Sequence, residues 1–211
     1  NYQRLIVQIQ EVITVAKHSE LNSVAVKNDT LAILSFINLG LIELYEEFIL
    51  ETDKVVVVSE NKNTLISMPE DFMYPLKAYF IEIVNNKEVK RNVYSDKPSS
   101  KDKISFKNNK EIRVDEELLN KEIVIEYCVK PPKYTLDDMN KEVDIPDVLI
   151  NCLLHYIGYR GHLGVRSDGQ SENNSHYIRF MQSMKRVRDK GVISFKNTNE
   201  MPSRIFDRGF V

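Results

Sequence analysis

Cys152, His155, Tyr159 and His162 follow one another at steps of three and four residues, so a helix through them would carry a thiol, two imidazoles and a phenol on one side. That set invites metal binding or hydrolytic acid–base chemistry. A zinc site wants about four ligands at characteristic pair spacings, and here His176 or a distant carboxylate would have to complete it. His155 and His162 are therefore read as core or interface groups, with no metal and no cofactor expected. Neither cysteine, Cys128 nor Cys152, sits in a nucleophile motif, and there is no G-x-S-x-G. Gly158, Gly161 and Gly164 are spaced three apart, unlike a dinucleotide fingerprint, and no phosphate loop occurs. The adjacent acids Glu70-Asp71 and Asp137-Asp138 read as solvated loop residues. The expected protein is not an enzyme, although a hydrolase built on His155 and His162 is kept as a lesser alternative.

Charge points to binding instead. The 211 residues carry a net charge of −2, but His176 to Val211 holds eight Lys/Arg against three acids, a net of +5, on a remainder of −7. Within it Lys185, Arg186, Arg188 and Lys190 form a run able to meet phosphates or an acidic partner. Nonspecific contact with DNA is compatible with that run; the aromatic-and-basic strand signature of an RNA-binding sheet is missing. Further on, Arg204, Phe206, Arg208 and Phe210 alternate, so an extended tail would show all four on one side and Ile205 and Asp207 on the other. With Phe195, these aromatics lie on a segment unable to build a core of its own, and burial on a partner is expected.

The elements that position these groups follow from periodicity. Leu5, Ile6, Ile9, Val12, Ile13 and Ala16 predict a first helix. Asn28-Asp29-Thr30 offers caps to a second, whose face is Leu31, Leu34, Ile37, Leu41, Leu44, Tyr45 and Phe48, with Gly40 marking close packing. From Lys54 to Lys130 the period becomes two: seven β-branched or aromatic runs, punctuated by Asn85-Asn86 and Asn108-Asn109, predict strands and hairpins. Asp96 to Lys103 reads as an exposed loop, and Pro131-Pro132 ends the last strand. Helix resumes at Pro146-Asp147 with an apolar face from Val148 to Leu163, and a last helix, Glu172 to Lys190, stops at Gly191.

The predicted fold is α+β: mainly a bundle of about four helices, discontinuous over 1–53 and 133–191, with a β-rich insertion over 54–132 and an extended docking tail over 192–211. Composition excludes a disordered chain, and two cysteines exclude a disulfide framework. Asn1 to His18 carries charges and glutamines where a signal peptide keeps an apolar stretch, so an unexported, soluble chain with no membrane partner is expected. Starting at Asn1 rather than Met leaves room for residues ahead of it.

A set of motifs in order adds a resemblance. Asp29, Leu31, Asn38 and Glu43-Leu44-Tyr45 on the second helix precede Leu65-Ile66-Ser67-Met68-Pro69-Glu70-Asp71-Phe72, an apolar-Pro-x-Asp-Phe turn. Ile145-Pro146-Asp147 then opens a helix reaching Tyr156-Ile157-Gly158-Tyr159-Arg160-Gly161-His162, and Tyr177-Ile178-Arg179-Phe180 follows on the last. The arrangement resembles the head-to-tail connector, or adaptor, proteins of short-tailed bacteriophages over nearly the whole chain. Its many Asn, Lys and Ile residues suit an AT-rich genome such as those of crAss-like phages. The resemblance implies a virion protein of the neck, made in the host cytoplasm: a ring, commonly of twelve copies, that joins portal to tail proteins or a second ring and lines part of the DNA channel. Phe195, Arg204, Phe206, Arg208 and Phe210 would then dock on the portal protein, with Lys185, Arg186, Arg188 and Lys190 facing DNA. A soluble partner-binding adaptor module is the main alternative.

Overall fold

The computed structural model describes residues 7–22, 25–61, 64–95, 103–107, 111–162 and 172–194. The chain divides into two compact units, one of residues Asn1–Ile49 with Pro131–Val211 and one of Leu50–Lys130.

In the first unit, α1 (Ile9–Ser19) buries Ile9, Val12, Ile13 and Ala16. Its first free amides are met by a loop distant in sequence: Ile9 and Gln10 donate to the carbonyls of Lys141 and Met139, both at 3.0 Å. α2 (Thr30–Glu47) begins where predicted, with the Asp29 carboxylate accepting from the Ala32 amide at 3.0 Å. α3 (Ile150–His162) is entered through a tight turn, because Leu149 donates to the Pro146 carbonyl at 2.8 Å. Pro146 therefore precedes the helix instead of occupying its first position. α4 (Glu172–Lys190) buries Phe180, Met184 and Val187, and Gly191 ends it at φ 61°, a left-handed conformation that glycine tolerates. α3 packs against both α2 and α4. At its crossing with α2, a Cβ on Gly40 would come within 2.6 Å of Leu153 Cδ1 and 2.9 Å of Tyr156 Cδ1, which is the close approach its position suggested.

The loop between Pro131 and Ile150 is tied to α2 by side chains. Asn38 donates to the Tyr134 carbonyl and accepts from its amide, both at 2.9 Å, while the Tyr45 hydroxyl donates to the Asp144 carbonyl at 3.0 Å.

The second unit is two antiparallel sheets. β1 (Thr52–Val57), β7 (Ile123–Val129), β3 (Phe72–Val84) and β4 (Lys87–Ser95) form one in that order, and β2 (Ile66–Ser67), β6 (Glu111–Val114) and β5 (Ile104–Lys107) form the other. Their facing side chains, among them Val57, Ala78, Val93, Ile104, Ile112, Ile125 and Tyr127, make one buried cluster. Asn85 and Asn86, at φ 53° and 61°, turn the β3–β4 hairpin in the left-handed region that such a two-residue loop requires. Pro75 lies where β3 pairs with β7 but not yet with β4, so its missing N–H breaks no ladder. Asn108-Asn109 lies outside the described residues.

The expected fold needs correction. A mainly helical bundle carrying a β insertion is not what forms: strands dominate the middle of the chain, and the architecture among the described residues is α+β with four helices and two antiparallel sheets. The physical reason is the separate core of the strands, which bury side chains against each other across two sheets.

Candidate functional site

The histidine face predicted from sequence exists, and its partner comes from elsewhere. Glu20, just after α1, directs Oε2 to Nδ1 of His176 on α4 at 3.2 Å and to Nδ1 of His155 on α3 at 3.7 Å. His162 joins the group by its ring: Nε2 lies 2.9 Å from the Glu20 carbonyl, and the ring stacks on His176 with centroids 4.4 Å apart. Gly158 leaves the room, since a Cβ there would fall within 2.8 Å of His176 Nδ1 and 2.9 Å of Glu20 Oε2. Gly161 does the same for Leu21. The Tyr-Ile-Gly-Tyr-Arg-Gly-His motif thus has a packing explanation, which Tyr156 extends by meeting Phe180 edge-on at 5.2 Å and Tyr159 by meeting Tyr177 at 5.1 Å.

Electrostatics make this junction responsive to acid. Polar contact with the His155 ring holds the Glu20 carboxyl below the usual range; burial opposes that, and the His155 and His176 charges add to it. Burial lowers the His176 imidazole, helped by the neighbouring His162 ring and opposed by Glu20. Cys152, on the same helix as His155 but fully buried, has its thiol pushed up by burial, which suits packing and not nucleophilic attack. Among the described residues no group of His, Cys, Asp and Glu has an arrangement that could hold a metal ion. The junction brings the end of α1, α3 and α4 to one buried carboxylate, whose Oε2, like Nδ1 of His155 and of His176, makes no well-aligned hydrogen bond.

In the strand unit, Phe72 is buried after the Pro69 turn, as that motif suggested. The Asp71 carboxylate reaches across to the Tyr127 hydroxyl, which donates to it at 3.2 Å. Burial and then Asp71 push that phenol up to about 12. The end of β3 carries Ile81 and Ile83 into solvent, 48% and 74% exposed.

The cationic run is split by the structure. Lys185, Arg186 and Lys190 are exposed on α4, whereas Arg188 turns inward and pairs with Glu47 of α2. Arg179, not singled out from sequence for this role, stands exposed two turns before Arg186. Phe195, Arg204, Phe206, Arg208 and Phe210 lie outside the described residues. Among the described residues no helix is long and apolar enough to cross a membrane.

The helical unit is fastened by buried side-chain clusters, and the strands hold a second core. The chain belongs to the SU10 adaptor protein family, which matches residues 1–201. No curated protein matches the chain. Membership makes it a virion component that interacts with other phage structural proteins.

Proposed function

We propose that this chain is the head-to-tail adaptor of a short-tailed phage, assembled as a ring of about twelve copies between portal and tail and lining part of the DNA channel. The observation that carries the reading is the family match over residues 1–201. The helical unit supplies ring-forming surfaces, and the tail from residue 192 supplies the portal anchor through Phe195, Phe206 and Phe210, with Arg204 and Arg208 meeting acceptors on the portal. Lys185, Arg186 and Lys190 give an exposed cationic surface for acidic partners, passing DNA among them. The β unit, ending in the exposed Ile81 and Ile83, would meet further tail or second-ring proteins. The protein would be made in the host cytoplasm and retained in the virion neck, and its Asn, Lys and Ile usage suits a crAss-like phage. A three-dimensional reconstruction of the particle tests this: a ring of this chain beneath the portal is expected, and finding the chain elsewhere, or absent, refutes it.

A further inference from the structure

α2 is apolar on nearly every side. Besides the buried face, an outward stripe of Leu31, Ser35, Leu39, Ile42 and Glu46 recurs at helical spacing, with Leu31 61% and Ile42 41% exposed. A helix apolar all round belongs in an interior, and this stripe has none within the described residues. The same helix ends in Glu43, Glu46 and Glu47 with no basic residue in its last turn, so the charges add to the negative end of the helix dipole. α2 thus shows an apolar stripe with an acidic end.

α4 shows the opposite charge. Arg179, Arg186 and Lys190 align along one exposed edge, with exposed Ile178 and Gln182 beside them. Arg188 lies about 160° around the helix from Arg186 and reaches Glu47 on α2. The cationic edge therefore points away from the α2 of its own chain, where Arg188 already answers Glu47 and Glu46 stands exposed. An acidic, apolar stripe and a cationic edge turned away from each other on one unit suit head-to-tail contact between copies.

We infer that, in the ring proposed above and resting on that reading, the outward stripe of α2 in one copy packs on the Arg179–Arg186–Lys190 edge of α4 in the next. Leu31, Leu39 and Ile42 are covered there, and Glu46, at the acidic end of the stripe, meets the cations. The contact is heterologous, each copy using two different surfaces, so it propagates and closes instead of stopping at a pair.

The test uses the full chain on portal-bearing particles. L31Q/I42Q disables one surface and R179E/R186E the other, both at exposed positions, and circular dichroism melts of each should match the unaltered chain. Each variant alone is expected to lose more than about tenfold of its copies per particle. A mixture of the two should restore adjacent pairs joined through the one intact surface of each, seen as cross-linked heterodimers. Carbodiimide coupling on unaltered particles built from light and 15N-labelled chains should join Glu46 of one copy to Lys185 or Lys190 of another. If R179E/R186E fills its ring normally, the inference is overturned: slowed genome exit would then assign that edge to DNA, and unchanged exit would leave α2 covered by the portal or by residues 195–211. Normal filling by L31Q/I42Q, a mixture that yields no pairs, or coupling confined to single chains overturns it equally while leaving the ring in place. Absence of the unaltered chain from portal-bearing particles refutes the ring itself and this contact with it.

Discussion

Glu20 is the residue on which three helices converge, and its neighbours decide how the helical unit responds to pH. Both Glu20 and His176 bind their protons less readily in the folded chain than in the unfolded one. Acid therefore favours unfolding through each of them: stability is lost as pH falls below about 6.5 for His176 and below about 4.5 for Glu20, toward their lower folded values. His176 stands 3.2 Å from the Glu20 carboxylate and His155 3.7 Å from it, so both rings face the same oxygen. Arg179, acting on His176 from its own helix, disfavours protonation further. His176→Gln should flatten the fall in melting temperature between pH 7.5 and 5.5 relative to the unaltered chain. Equal slopes for the two proteins would mean that His176 does not titrate against folding. Sequence spacing made His155 and His162 visible as a face, because i and i+7 on one helix are local. It offered His176 only as one way to complete a metal site and could not name Glu20, because the closeness of both to that face comes from helix packing across long stretches of chain. The one local signal was Gly158, which a helix would not choose without a neighbour to admit.

At the scale of elements, most of the secondary structure was legible and its weighting was not. Apolar spacing placed four helices, and alternation placed all seven strands to within a few residues, because each pattern reports a local face that must be buried. Reading the strands as an insertion in a bundle failed, since the sheet order β1-β7-β3-β4 brings together runs that are far apart in sequence. The better signal was β7 itself: Ile123, Ile125, Tyr127 and Cys128 are buried and the residues between them are half-covered, as befits an inner strand of a unit with its own core. Gly40 gives the sharpest test of the helix packing. Gly40→Val would push against Leu153 and Tyr156, and the small gain in helix propensity from a β-branched residue does not offset that, so a loss of about 1–3 kcal/mol is expected in urea unfolding. A midpoint unchanged from the parent would place α3 farther from α2 than described here. The β3–β4 hairpin offers a second test. Replacing Asn85 and Asn86 with alanine forces two ordinary residues into positive φ, at a cost of about 1 kcal/mol or more. Amide exchange at Val84 and Lys87 should quicken while that of Ile125, deep in the same sheet, stays slow.

For the whole molecule the question is which surface carries the chain onto its neighbours, and a cut near the C-terminal end tests whether folding and attachment can be separated. Val192 is 62% exposed, and the carbonyl of Ser194 accepts from the Ile49 amide at 2.9 Å, so residues up to 194 still belong to the helical unit. A truncation meant to test docking should therefore begin at residue 195. The buried side chains described for the helical unit come from α1 to α4 and the loops between them, and the removal of residues 195–211 is expected to leave its melting temperature within a few degrees of the parent. What leaves with them is three phenylalanines and two arginines, Phe195, Phe206, Phe210, Arg204 and Arg208. Each ring fully buried on a portal contributes about 1.5–3 kcal/mol, and charge-assisted bonds from the arginines add to that. The loss of even one such ring corresponds to at least about tenfold in affinity, and the loss of all three should abolish recovery of the chain with purified portal-containing particles. The contact inferred between copies uses α2 and α4, so on that inference the truncated chain at high concentration should still cross-link between copies. Attachment at near-normal affinity after truncation would show that the anchor lies on the folded units, with the exposed edge of α4 the first surface to examine.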